Sequence, residues 1–241
     1  MEVDESREDS GPTLVDKKDR INMKARDMAS VSGSGLPGRK RIAVLASGRG
    51  SDFQALIDAC DRGELKCDLA LLVCNVPDAL AINRARRNGI PYVIIDHRGQ
   101  TRREFDELVH KTLKEQRIDL VVMAGFMRIL SPWFVKQWPD KIINIHPALL
   151  PAFPGAHAHR DALDYGVKIT GLTIHFVDED VDHGPIIFQY PVEVHDDDTE
   201  ESLSARVLEE EHRWYPRVVQ WIVEGRVRRA GRSVTVDQSE S

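Results

Sequence analysis

From Arg41 onward, short apolar runs alternate with segments whose apolar positions recur every three or four residues. RIAVLAS predicts a first strand, and SDFQALIDAC after it sets Phe53, Leu56, Ile57 and Cys60 at helical spacing. DLALLVCN predicts a second buried strand, and PDALAINRARRNG a second helix closed by Gly89. PYVIID predicts a third strand. TRREFDELVHKTLKEQR predicts an amphipathic helix with Phe105, Leu108, Val109, Thr112 and Leu113 on one face. IDLVVMAG, SPWFVKQW and KIINIH predict a fourth strand, a short helix and a fifth strand. Continuous apolar strands separated by helices imply a parallel sheet covered on both faces. The expected fold is therefore α/β, an open Rossmann-like, doubly wound, mainly parallel sheet.

After Pro147 the pattern changes. LTIHFVDE and GPIIFQYPVEV are longer strand-like runs joined by a turn, which predicts an antiparallel pair. Thr199 then caps a long C-terminal helix whose Leu203, Val207, Tyr215, Val218 and Ile222 form an apolar stripe, with a kink or division expected at Pro216. RVRRAGRSVTVD predicts a short hairpin, so residues 226–241 are set apart as a C-terminal tail or hairpin. Residues 1–39 lack apolar periodicity and are rich in Asp, Glu, Lys, Ser and Gly; a disordered N-terminal tail is expected there. That leaves one domain over residues 40–225.

Composition narrows the function classes. The 241 residues carry a formal charge of −6, so no basic surplus points to nucleic acid or to an anionic membrane. No run approaches the roughly 18 apolar residues of a membrane helix. The early acids argue against a transit peptide, and no apolar core suggests a signal peptide. Cys60, Cys67 and Cys74 form no CxxC pair, which fits free thiols in a reducing compartment. A cytoplasmic chain is expected.

In open α/β sheets, ligands sit beyond the carboxyl ends of the strands. Three polar segments fall there: Ser47 to Ser51, Ala124 to Arg128, and Asn144 to His146. SGRGSDFQ opens a helix, where unpaired backbone N–H groups favour an anion and glycines allow close approach. No third glycine of a dinucleotide fingerprint and no Gly-Lys-Ser/Thr follows, which leaves a single phosphomonoester as the best ligand. Asn144 and His146 lie two apart on a strand and face one way. An amide can donate to an oxygen gaining negative charge, and an imidazole can move protons near neutral pH. The turn VDEDVDHGP offers carboxylates to orient that imidazole, Asp182 foremost. No Ser or Cys stands in a nucleophile elbow, so the nucleophile would come with the substrate. HAHR and His183 match no common zinc spacing, and no metal is expected. Taken alone, each element has a plainer reading: a tight turn into a helix, strand-end groups satisfying backbone, a solvated acidic loop.

The segments ASGRGSDFQAL, AGFMRILSPWFV, NIHPALLPAFPGAHAHRDAL, GLTIHFVDEDVDHGPIIFQ and EEEHRWYP change that balance. In order and spacing, from about Lys40 to Gly225, the chain resembles the folate-dependent formyltransferases, in particular the phosphoribosylglycinamide formyltransferase family. The HPALLP block and the DxGP turn are shared with methionyl-tRNA formyltransferase and formyltetrahydrofolate deformylase. EHRWYP, and the lack of a pattern for an extra β-barrel or a regulatory domain, favour the glycinamide family. The resemblance implies transfer of the formyl group of 10-formyltetrahydrofolate, a cosubstrate, to the amine of glycinamide ribonucleotide in purine synthesis. Asn144, His146 and Asp182 match the catalytic trio. Gly50, Ser51, Asp52 and Phe53 match the segment at the substrate phosphate, and Glu211 the acid at the substrate's amino end. Arg102, Met127, Arg128, Ile129 and Leu130 match folate contacts, as do Asn144, Asp178, Glu179, Asp180, Val181 and Asp182. His157 matches the active-site loop. Two positions depart from the family pattern: Asp52 stands for a usual Asn and Ala148 for a common Ser. Small-molecule partners are implied, with a homodimer left open. A formyl-folate hydrolase and a catalytically silent ligand-binding module remain the alternatives.

Overall fold

The computed structural model describes residues 38–237 and the strand Ile21–Asn22. Eight strands share one sheet: β1 (Ile21–Asn22), β2 (Arg41–Ala46), β3 (Asp68–Cys74), β4 (Tyr92–Ile95), β5 (Leu120–Met123), β6 (Ile142–His146), β7 (Ile169–Phe176) and β8 (Ile186–Glu193). Their order is β1-β4-β3-β2-β5-β6-β7-β8. Strands β2 to β6 pair in parallel, whereas β7 and β8 run antiparallel, as the longer runs after Pro147 predicted. The order reverses at β2, with β3 on one side and β5 on the other. Such a reversal splays the following loops apart and opens a crevice at the carboxyl ends.

Burial on both faces explains why the strands read as unbroken apolar runs. Ile42, Val44 and Ala46 of β2 pack in one layer with Phe53 and Leu56 of α1 (Ser51–Asp61) and Val207 of α6 (Glu200–Val223). Ala43 and Leu45 pack in the other, with Phe105, Val109 and Leu113 of α3 (Arg102–Glu115) and Phe134 of α4 (Pro132–Gln137). Successive side chains leave a strand on opposite faces, so each needs its own helical layer. Between these helices, α2 (Leu80–Arg87) packs beside α1 through the fully buried Ala81 and Ala85.

Local signals start the helices. Thr101 caps α3 in a reciprocal box: its Oγ1 accepts from the Glu104 N–H at 3.2 Å, and Glu104 Oε2 accepts from the Thr101 N–H at 3.0 Å. Thr101 is exposed, so Thr101→Ala should cost about 1 kcal/mol through the cap alone, read as a lowered thermal midpoint. Thr199 caps α6 in the same manner with Ser202.

Two features differ from expectation. α6 continues unbroken through Pro216, which the sequence marked for a kink or division. Pro216 removes one backbone hydrogen bond, but apolar residues on both sides of it bury in the same layer and hold the axis together. An additional helix, α5 (Ala158–Tyr165), follows the HPALLP block and closes at Gly166 in the left-handed conformation. Near the C-terminus, β9 (Val227–Ala230) and β10 (Ser233–Val236) form a separate hairpin. Most of the expected N-terminal tail lies outside the described residues; within it, Ile21 and Asn22 pair antiparallel with Ile95 and Ile94 of β4. Among the described residues no helix is long and apolar enough to cross a membrane.

One long-range bond fixes the crevice. The hydroxyl of Tyr215, fully buried on α6, donates to the Met123 carbonyl at 2.6 Å, at the last residue of β5.

Candidate active site

The end of β6 carries Asn144 and His146 on one face, while Ile143 and Ile145 face the core on the other. Antiparallel pairing with β7 sets His175 opposite Asn144 and Thr173 opposite His146, so four polar side chains gather at this sheet edge. Asp182 reaches them from the turn between β7 and β8. Its Oδ2 lies 3.3 Å from His146 Nδ1 and accepts from the Gly155 N–H at 2.8 Å; its Oδ1 lies 3.5 Å from Asn144 Nδ2. The three residues that the sequence grouped as a trio therefore meet.

The turn that delivers Asp182 is tightly built. Asp182 itself adopts a left-handed backbone with φ 50°, and Phe176 N–H bonds the Pro185 carbonyl at 2.9 Å. A Cβ on Gly184 would lie 1.7 Å from the Phe176 oxygen, so only glycine fits between them.

Hydrogen-bonding logic assigns roles to the two imidazoles. His175 Nδ1–H donates to the Phe176 carbonyl at 2.9 Å, and burial pushes its pKa down, so Nε2 presents a lone pair. Asn144 Nδ2 lies 3.4 Å from that lone pair. At 3.4 and 3.5 Å both bonds of the amide are weak, which leaves it free to turn toward a stronger acceptor. His146 is 4% exposed; its Nε2–H donates to the Phe153 carbonyl at 2.8 Å while Nδ1 faces Asp182. Each ring nitrogen therefore faces an oxygen acceptor. Thr173 anchors the HPALLP loop: its hydroxyl donates to the Ala148 carbonyl at 2.6 Å and accepts from the Leu150 N–H at 3.0 Å.

Across the crevice, α1 begins at Ser51 with Gly50 as its N-cap at φ 67°. A Cβ on Gly50 would lie 2.7 Å from Ala81 Cβ, which fixes glycine here. The Gln54 N–H is the first to bond within the helix, to Gly50 O at 3.0 Å, so the N–H groups of Ser51 to Phe53 point outward. The Phe53 side chain is fully buried in the core; only its backbone can meet a ligand. Asp52 and Glu211, 8% and 7% exposed, lie side by side beneath this turn. Burial pushes the Asp52 carboxyl up to about 6, partly opposed by its own backbone N–H. Burial, then the neighbouring Asp52, pushes Glu211 well above the carboxylate range. Beside them opens a cavity of about 340 Å³ lined by Ser51, Gln54, Arg84, His212 and Arg213 among others.

The loop after β5 forms the third wall. Ser47 Oγ accepts from the Met127 N–H at 2.8 Å and donates to Asn75 Oδ1 at 2.6 Å, tying three strand ends together. Met127 and Ile129 are exposed, as is Val181 in the Asp182 turn, whereas Leu130 is buried. The Arg128 guanidinium lies 4.5 Å from the Phe105 ring centre, and Arg102 is exposed at the first turn of α3. In the acidic turn, Asp178 pairs with His183 at 2.8 Å and Glu179 with Lys136 at 3.1 Å, while Asp180 is exposed. His157 stands exposed at the N-cap of α5, with no side-chain bond to the trio. Among the described residues no group of three or more His, Cys, Asp or Glu is arranged to hold a metal ion.

Residues 40–219 match the profile of a family described as Formyl transferase. The chain belongs to the formyl transferase family. The chain is 43% identical over 189 residues to phosphoribosylglycinamide formyltransferase of Escherichia coli (strain K12), covering 78% of this chain and 89% of that one. It is 47% identical over 188 residues to the trifunctional purine biosynthetic protein adenosine-3 of Gallus gallus, which spans 78% of this chain but only 19% of that longer protein. Among solved structures, glycinamide ribonucleotide transformylase 1 from Symbiobacterium toebii superposes with a TM-score of 0.81 at 42% identity, covering 83% of this chain and 95% of that one.

The sequence pattern singled out Ser47 only as the start of the Ser47–Ser51 segment and left out His175 and Thr173. Each is a buried polar residue within or at the end of an apolar run, the signal that had singled out Asn144 and His146. Applied evenly to β7, the two-residue rule marks Thr173 and His175 as well.

Proposed function

We propose that this formyl transferase moves the formyl group of 10-formyltetrahydrofolate to the amine of N1-(5-phosphoribosyl)glycinamide, yielding the N-formyl product and tetrahydrofolate in de novo purine synthesis. The observation that carries this reading is the convergence of Asn144, His146 and Asp182 at one crevice, facing an anion-type helix N-terminus with Glu211 beside it. The exposed Met127, Ile129 and Val181 offer apolar faces from two flanking loops, a surface suited to a flat heterocyclic donor.

In this reading the substrate amine attacks the formyl carbon, forming the new C–N bond. The Asn144 amide turns from its weak bonds to donate to the carbonyl oxygen as it becomes negative, a preorganised donor aimed at developing charge. Protonated His146 stabilises the same charge. Asp182, 3.3 Å from His146 Nδ1, orients the imidazole and helps carry the amine proton to the folate nitrogen as its bond to carbon breaks. His157 supports the loop, and Arg102 with the 127–130 and 178–182 segments contacts the folate. The mechanism uses no metal. The same reading puts the chain in the cytoplasm, acting on small molecules, with a homodimer open and neither nucleic acid nor membrane as partner.

The test follows tetrahydrofolate spectroscopically with and without glycinamide ribonucleotide. Product formed only with the acceptor is the expected result. Equal product and free formate without it would replace transfer by hydrolysis, and folate binding with no turnover would make the chain a binding module.

A further inference from the structure

Asp52 is the least comfortable group in the substrate half of the crevice. It occupies the first turn of α1, where a phosphate would meet the outward N–H groups, yet it is itself an acid. Its Oδ1 is buried without a hydrogen-bond partner among the described residues. The group beside it is a second buried carboxyl, Glu211. From α6 it also faces His212 and Tyr215. His212 Nε2 lies 3.7 Å from Oδ1, too far for a bond, and likewise has no partner. Burial and Arg84 hold His212 toward its neutral form. Tyr215 spends its hydroxyl proton on Met123. From α2, Arg84 is already committed, through Nε to the Arg49 carbonyl at 2.9 Å and through Nη1 to Gln54 Oε1 at 3.1 Å. Arg62, Arg213 and Asp58 line the outer cavity. Among the described residues no lysine or arginine pairs with Asp52, so a phosphate arriving at this turn would meet an uncompensated carboxylate in the first turn of α1.

Resting on the function proposed above, we propose that Asp52 binds the phosphorylated substrate as its protonated acid, so that loading the phosphate draws a proton into the site. The acid form removes the repulsion and turns one carboxyl oxygen into an O–H donor for a phosphate oxygen. It then has the shape of an asparagine and, with one O–H in place of the amide's two N–H, a donor that the carboxylate lacks. The free carboxyl is already pushed up to about 6 by burial, which makes the uptake easy near neutrality. The sign follows from linkage: a bound state that holds the proton more tightly than the free one loses affinity as pH rises above the free pKa. Above pH 7, KM for the phosphorylated substrate should rise about tenfold per pH unit until the bound acid itself ionises. The phosphate's own second ionisation, near pH 6, is common to wild type and variants and cancels in their ratio.

Calorimetric titration of glycinamide ribonucleotide in buffers of different ionisation enthalpy counts the protons directly. At pH 7.5, wild type should take up about one proton more than Asp52→Asn. The ratio of wild-type to variant KM should grow about tenfold from pH 7 to pH 8, while KM for the formyl donor stays the same in both. Should the variant not fold, wild type alone decides: uptake with the phosphorylated substrate and none with its dephosphorylated nucleoside supports the proposal. Equal proton counts in both proteins, or a variant that binds the phosphorylated substrate far more weakly at pH 8, would overturn it while leaving the proposed reaction intact. Failure of the ribonucleotide to bind wild type at any pH would overturn both.

Discussion

Asn144→Ala is expected to lower kcat by about 10²-fold or more, the scale of losing one oxyanion donor. The expectation rests on geometry at the end of β6. The amide is held only by weak bonds to His175 and Asp182, so its removal strands no strong partner and leaves the strand intact. KM for the phosphorylated substrate should change little, because Asp52 and Glu211 stand across the crevice on α1 and α6. Steady-state kinetics with both substrates varied separates the two constants. Wild-type turnover by this variant would remove Asn144 from the chemistry.

Gly184→Ala should be strongly damaging for a change of one methyl group. A Cβ there would lie 1.7 Å from a backbone oxygen, which no rotamer change can relieve. The turn must move, and Asp182 moves with it, away from His146 Nδ1 and the Gly155 N–H. Overpacking of this kind costs about 1–3 kcal/mol, and kcat should fall by at least about tenfold through the displaced carboxylate. Thermal melting and kcat measured on one preparation test both halves. A lowered melting point with full kcat would show that the position of Asp182 is not needed for turnover.

Where a single physical rule dominated, the sequence was sufficient. Val44, Leu45 and their neighbours read as strands because burial on both faces leaves no polar gap, and Phe105, Val109 and Leu113 announced α3 through their helical spacing. α5 was illegible for the opposite reason: it buries only Ala158 and Ala162, too small a stripe to show a period. Pro216 does not divide α6 because propensity is local, whereas the packing that carries the helix past it is tertiary. In the site, Asn144 and His146 stood out beside a proline-rich turn, but His175 in LTIHFVDE passed as core. Its importance appears only once β7 is known to run antiparallel beside β6, a pairing that no run of letters displays. The closeness of Asp52 to Glu211, some 160 positions along the chain, was equally invisible before folding.

The bond from Tyr215 to the Met123 carbonyl does more than close a helix against a sheet. Glu211 sits one helical turn before Tyr215, and Met127 lies four residues after Met123 in the loop that follows β5. One short contact thus works like the fixed jaw of a caliper, setting how far the amine-side wall stands from the wall assigned to the donor. A reaction between two bound molecules depends on their separation to within about an ångström. Loosening this joint would be felt as two well-filled halves that no longer meet, a loss of encounter with no loss of either grip.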